Sequence, residues 1–393
     1  MAFQMLINFL LARSSTTSLR QITPYFALER VVVAPTLQAE WFADIFLRKI
    51  PLTNVAQGLA QIKTEFGAYQ SIQPVGENFD VFYERGKQLF EIKINDLGQI
   101  NYLAFKPELQ PMTPEEAIEI LKTFPGQTNL LILEEEEDLP VAAYNADLPL
   151  AVGSAFKLAV LAALQEKIEN DDLSWTDIVK LQEEDKSVGG FLVNWFDGAV
   201  LTVESLAALM ISVSENTATD TLMHLLGRDA IIPYASRNQP LLTTRELFVL
   251  KSPPSDDLLQ RYRNGSLSDR LEVLEDVASE PQPDPKFFTN TPTALDIEYF
   301  YTPYELCELM SIVGDLPFMT INPGISKSSS KEWESVAYKG GSEAGVFNMT
   351  LLLKSKDGKT YRLTATWNNP LAALDEAAFF KLIDLVVAGL LLR

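Results

Sequence analysis

One cysteine and one histidine stand among 393 residues. With a single thiol, Cys307, no internal disulfide can close, and thiolate zinc or iron–sulfur sites lack ligands. With a single imidazole, His224, a histidine-rich metal site cannot be built, and a Ser-His-Asp triad would have to run through that one ring. A hydrolase made from this chain needs another base. Cations are also short: 32 Lys+Arg face 53 Asp+Glu, a net charge of −21. Such a chain repels phosphate backbones and anionic lipid heads, which argues against nucleic acid and membrane surfaces as partners. No run reaches the roughly 20 apolar residues of a membrane span. Met1–Ala12 is apolar but is broken by Gln4 and Asn8 and lacks a leading basic residue. It matches an export leader poorly and reads equally as an N-terminal helix, so the compartment stays open.

What the chain does have is core material. A hydrophobic share of 47% over this length supports two domains rather than disorder. After an N-terminal segment (1–22), helical spacing over Trp41–Ile50 and Leu52–Ile72 gives way to period two. Phe79–Gly86, Lys87–Asp96 and Gln99–Pro107 read as strands joined by turns at Arg85–Gly86 and Asp96–Gly98. Residues 23–110 are thus expected to form a small α+β accessory module, for dimerisation or for covering a site. Thr113, Pro114 and Glu116 mark a helix start. Strands are expected at Asn129–Glu134 and Val141–Tyr144, then a mostly helical block from Ser154 to about Leu250. Residues 251–303 are proline-rich and read as an excursion from the body, lid or linker. Strands at Ser335–Gly341, Gly345–Lys354 and Thr360–Asn368 follow, with a hairpin turn at Asp357–Gly358 and a last helix from about Leu374. The second domain, 111–393, begins and ends with strands that should share one sheet.

Three short patterns could carry chemistry. Ser154 and Lys157 are three apart at the start of an apolar helix, on one face and one turn apart. A serine hydroxyl is a weak nucleophile until a neighbour takes its proton, and a lysine with a lowered pKa can do so. Free N–H groups at the helix start can also hold an oxyanion. Alone, this spacing is common and reads more readily as a cap followed by a solvated lysine. Ser214-Glu215-Asn216 falls between two helical stretches, with Thr217–Asp220 expected as a capping box. Lys339-Gly340-Gly341-Ser342 ends a strand pattern, where paired glycines admit close backbone approach. Ordinary loop polarity and a glycine kink are the plain alternatives.

Together, in this order, the three resemble the class A β-lactamase-like serine hydrolases of the penicillin-binding superfamily. The 60-residue gap from Ser154 to Ser214 matches that family. The resemblance covers about Thr113–Arg393. It implies an α+β, β-lactamase/transpeptidase-like fold, with an antiparallel sheet flanked by helices and a helical subdomain. It implies an acyl-enzyme on Ser154, Lys157 as proton acceptor, Ser214 as relay and Lys339 holding both Ser214 and the substrate carboxylate. Asn216 would bind the substrate amide, and the N–H groups of Ser154 and Ser342, with Gly341 between strand and nucleophile, would form the oxyanion hole. The implied substrate is a small β-lactam or ester, with no metal or organic cofactor; an esterase or peptidase with little lactamase activity, or a β-lactam-binding protein that is acylated without turnover, is the alternative. The long insertion and extra N-terminal module are similar to the two-domain members of that superfamily, some of them esterases, whose module resembles a steroid-isomerase-like cone. A homodimer through that module is one expectation. Gly340 replaces the usual hydroxyl residue, and Met349 lies about where many relatives place a carboxylate-binding arginine. Between Ser214 and Lys339 no Glu is followed four residues later by Asn, the pattern that activates the deacylating water. Glu246 is the nearest carboxylate by count, and reads equally as a solvated charge paired with Arg245. His224 and Cys307 read as packed side chains, and Trp195 and Phe196 as cleft wall or packing.

Overall fold

A computed structural model describes residues 22–106, 111–135, 137 and 139–393. The N-terminal segment expected as leader or helix lies, up to residue 21, outside the described residues. The chain divides into two compact units, up to Leu109 and from Gln110 on.

The first unit holds helices α1 (Pro24–Val33), α2 (Asp44–Lys49) and α3 (Leu52–Phe66) and an antiparallel meander β1–β4. Its strands are Tyr69–Val75, Asn78–Tyr83, Gly86–Ile94 and Ile100–Lys106. Helix α3 stops earlier than its apolar spacing suggests. Gly67 takes φ 90°, a left-handed value that favours glycine, and its N–H caps Lys63 O. The residues beyond it, read as helix up to Ile72, pair with β2 instead. Ala27, Leu28, Val31 and Val32 of α1 join Val81, Phe90 and Ile100 in one buried cluster.

In the second unit, α4 (Pro114–Leu121) starts with the expected capping box between Thr113 and Glu116. A five-stranded sheet follows, in the order β11-β12-β13-β5-β6. Its strands are β11 (Ser335–Glu343), β12 (Val346–Lys354), β13 (Thr360–Asn368), β5 (Gln127–Glu134) and β6 (Ala142–Tyr144), and two short pairs stand beside it, β7 (Leu150–Ala151) with β10 (Phe300–Tyr301) and β8 (Ile178–Lys180) with β9 (Val200–Thr202). The first and last strands of the unit therefore meet, as β13 against β5. Alternation splits its faces. Met349, Leu351 and Leu353 pack under the C-terminal helix Glu376–Leu390, whereas Leu352 and Ala337 join the helical core on the other side. That core is built around α5 (Lys157–Glu169), whose residues from Lys157 to Leu164 are all buried. Around it pack α6 (Val203–Ser212), α7 (Asn216–Leu226), α8 (Thr244–Lys251) and α11 (Pro303–Val313). No helix of the described residues is long and apolar enough to cross a membrane.

The proline-rich stretch is not an excursion. It folds as α9 (Asp256–Asn264) and α10 (Leu267–Ala278), then Phe300–Tyr301 pairs with Leu150–Ala151. Leu259, Tyr262, Val273, Leu274, Val277 and Tyr299 sit in the main core. Its prolines stand at helix starts and between elements, where the missing N–H leaves no ladder bond unmade. Buried Lys251 and Glu298, with half-buried Glu343, tie its two ends together. Lys251 Nζ donates to Glu298, and to Glu343 at 2.5 Å. Burial opposes the ammonium there, and the two carboxylates outweigh it. Removing one partner of a buried pair strands the other charge, at about 3–5 kcal/mol. Lys251→Met should lose about that much stability, and Lys251→Met with Glu298→Leu should recover most of it. Urea denaturation measures both; a loss below about 1 kcal/mol for the single variant contradicts the assignment.

Candidate active site

The nucleophile candidate is set by the strand before it. Asn368 clamps Ala151 twice, accepting from its N–H and donating to its C=O, each at 2.8 Å. Val152 N–H donates to Tyr299 O at 2.9 Å, and Phe156 stacks on Tyr299 with ring centroids 3.6 Å apart. Gly153, at φ 50°, then turns the chain into a 3-10 segment, Gly153–Phe156, that runs on into α5. Ser154 sits in this first turn, half-buried, with Lys157 one turn on. β11 lies against that turn. A Cβ on Gly341 would come 2.0 Å from Val152 O and 2.5 Å from Ser154 N, so only glycine allows the approach. Ser342 follows on the same strand, which leaves its N–H beside the start of the nucleophile helix.

Lys157 is fully buried. Its Nζ donates to Ser214 O at 2.7 Å, Ser214 Oγ at 3.1 Å and Asn216 Oδ1 at 2.7 Å. All three acceptors are neutral. Burial drives its pKa down to about 7, against the opposing pull of Asp220 and Glu215. Lys339 Nζ donates to Ser214 Oγ at 3.1 Å and Gly340 O at 2.6 Å. Burial, reinforced by the charge of Lys157, holds it well below an ordinary lysine. One hydroxyl is thus held between two amines. Ser214 itself has φ 57°, a left-handed conformation uncommon outside glycine. Its neighbours fix it there. Glu215 accepts from Ala218 N at 2.6 Å and Leu192 N at 3.0 Å. Asn216 Nδ2 donates to Val188 O at 2.6 Å.

The structure therefore brings Lys157, Ser214, Asn216 and Lys339 into one hydrogen-bonded cluster and sets Ser154, Gly341 and Ser342 along its edge. Glu246 is not brought to it. One of its oxygens accepts from Arg228 and the other from Thr243 N at 2.8 Å, completing the capping box of α8. The partner is Arg228 rather than Arg245, because the cap turns the side chain back along its own helix. The Thr217–Asp220 capping box is also corrected. Glu215 caps α7, and Asp220 is buried within it, accepting from Thr244 N at 2.7 Å and Arg245 N at 2.8 Å. Burial raises the Asp220 pKa despite those N–H groups. His224 Nδ1 lies 2.6 Å from Asp185 Oδ1, and that bond raises its pKa. Cys307 is buried, with its thiol pushed up to about 12. Trp195 and Phe196 are exposed, so they do not pack into the core. Asn368 and Tyr299 lie outside the motifs read from the sequence. The signal for Asn368 is an amide at the end of a long strand. Among the described residues, no group of three or more His, Cys, Asp and Glu could hold a metal ion.

The second unit has the β-lactamase/transpeptidase-like fold. Residues 113–273 match the model of the beta-lactamase enzyme family. A β-lactamase from Sphaerobacter thermophilus is 20% identical, over 70% of this chain and 96% of its own, with a TM-score of 0.50. An ancestral class A β-lactamase is 16% identical over 72% of this chain and 99% of its own, also with a TM-score of 0.50. A protein described as PBP-A is 14% identical over 73% of this chain and 96% of its own, with a TM-score of 0.48. No curated protein matches the chain.

The buried amine makes a stability prediction. Folded Lys157 releases its proton near pH 7, whereas its ordinary value is 10.5. Between those values the unfolded chain binds the extra proton, so stability rises with pH across that window. Measured against Lys157→Met, the wild type should gain stability from pH 7 to 9, by at most about 1.4 kcal/mol per pH unit. A difference that stays constant with pH rejects the depressed amine.

Proposed function

We propose that the second unit is a serine hydrolase that forms an acyl-enzyme at Ser154 and hydrolyses a β-lactam amide or a related small ester. The observation that supports this most is the chain from Lys157 Nζ to Ser214 Oγ to Lys339 Nζ, with both steps 3.1 Å. A neutral Lys157 takes the Ser154 proton as its oxygen bonds to the substrate carbonyl carbon. The N–H groups of Ser154 and Ser342 hold the oxyanion. Ser214 passes a proton to the leaving nitrogen or oxygen as that bond breaks, and receives one from an amine. Asn216 offers its amide to the substrate. Esterase activity with little β-lactam turnover is the second reading. It is favoured by the neutral partners of Lys157 and by the ties that hold Glu246 away. No carboxylate is hydrogen-bonded to Lys157, Ser214 or Lys339 among the described residues, so deacylation falls to the same amines that served acylation.

Ser154→Ala should abolish both hydrolysis and the adduct seen by intact mass, while the circular dichroism stays native. Residual activity above about a thousandth of wild type points to another nucleophile. Wild-type acylation should rise with pH through about 7, as the Lys157 ammonium of pKa about 7 loses its proton; a flat profile from pH 5 to 9 argues against an amine base. A chromogenic cephalosporin should give a burst of about one equivalent and then slow turnover, because a missing water-activating base costs about 10²–10⁴-fold. A short aryl ester should turn over steadily. Cephalosporin turnover without a burst, at the ester's rate, would contradict a weak deacylation step.

A further inference from the structure

A groove of about 730 Å³ opens beside the cluster. Val188, whose C=O takes the Asn216 amide, and Gly189 line one end, and Ser342 lines another. Its size suits a small ligand or one arm of a substrate. The charged side chains of its wall are Glu343, Asp375 and Glu376, and none is cationic. Glu376 Oε1 accepts from Ser342 Oγ at 2.6 Å, which puts a carboxylate one side chain away from an oxyanion donor. Glu343 shares Lys251 with Glu298, and burial beside Glu298 raises its pKa to about 8, so Lys251 is matched by Glu298 and the wall's negative charge lies on Asp375 and Glu376. Lys286, next to the wall residue Pro285, is paired with Asp284 at 2.5 Å. Asp375 caps the last helix, whose N-terminus adds only about half a positive charge. The apolar part of the wall includes Phe248 and Phe288, edge to face at 4.8 Å, and ring faces attract cations. An anion entering the groove finds no cationic side chain in its lining, only the neutral Thr289, Asn290 and Ser342. Lys339 keeps its amine on Ser214 and Gly340, and Met349 is buried beneath the sheet.

We propose that this groove selects the acyl part of the substrate by positive charge, taking an alkylammonium or aminoacyl group on an apolar stem and turning away carboxylate-bearing acyl groups. This deepens the hydrolase reading and rests on it for the place of Ser342. The chain's net charge of −21 acts in the same direction, drawing cations toward the molecule.

The test uses para-nitrophenyl esters of 4-(trimethylammonio)butanoate, of its uncharged isostere 5,5-dimethylhexanoate, and of glutarate. The expected order of kcat/KM is cation, neutral, anion, with at least fivefold between the first two. Glu376→Gln should collapse the cation-to-neutral ratio toward one, and Glu376→Asp should retain most of it. A second arm needs no turnover. Choline and its isostere 3,3-dimethylbutan-1-ol are titrated by calorimetry into the Ser154→Ala protein. Choline should bind at least fivefold tighter, less so with Glu376→Gln added. Equal kcat/KM for cationic and neutral esters, or equal binding of choline and the alcohol, overturns the inference and leaves the hydrolase reading intact. Failure to hydrolyse or be acylated by any ester overturns the hydrolase reading, and the choline titration then decides the groove.

Discussion

A lysine amine sealed in the core, with only neutral oxygens to hold it, is the constraint on which the second unit turns. Lys157 is the first residue of a helix buried along most of its length, so its side chain has no route to water. An ammonium there is costly unless it is paired, and the hydrogen-bonding groups offered are a serine and an asparagine. The amine therefore gives up its proton easily. The loop between α6 and α7 has to deliver both Ser214 oxygens to one nitrogen, which the left-handed backbone at Ser214 accomplishes. Such a conformation costs of order 1–3 kcal/mol and persists only where its surroundings over-determine it. Glu215 and Asn216, both buried and both bonded into the 188–192 loop, supply that determination.

The other half of the geometry comes from far along the chain. The start of the nucleophile helix is held by Asn368 at the end of β13 and by Tyr299 at the end of the proline-rich stretch. Asp220 carries the same logic to α8. Its carboxylate takes the two leading N–H groups of that helix and locks it directly against α7. A carboxylate spent on those N–H groups is a joint between helices rather than a base.

Much of this was legible in the residue order. The three motifs stand at the ends of locally coded elements, and period-two alternation gave the sheet strands to within a few residues. The misreadings share a cause. Leu52–Ile72 keeps an apolar spacing compatible with either period, and the left-handed Gly67 decides between them. The stretch 251–303 was judged by its prolines, but Leu259, Val273 and Leu274 are committed to the main core by tertiary packing that composition does not record. Thr217–Asp220 has the spacing of a capping box. Glu215, one residue before α7, reached its N–H groups first, which freed Asp220 for a partner 24 residues on. Glu246 was chosen by count along the chain, and counting cannot see Arg228 across the turn.

The absence of a carboxylate at the amines has two opposite consequences. A carboxylate hydrogen-bonded to Lys157 would hold its proton and raise its pKa, so leaving it out keeps the amine neutral and ready to accept the Ser154 proton near pH 7. The charge of Lys157 in turn adds to burial in lowering Lys339, because two ammonium groups on one hydroxyl disfavour each other. A water attacking an acyl-enzyme, however, needs a base of its own, and the carboxylates close to this region are tied up, Asp220 on helix N–H groups and Glu298 on Lys251. On the acyl-enzyme reading proposed above, what would make the first half of the reaction feasible leaves the second half to amines already in use. A small acyl group that admits water would tolerate that arrangement better than a bulky one, so on this reading the same hydrogen bonds favour esters over β-lactams for turnover.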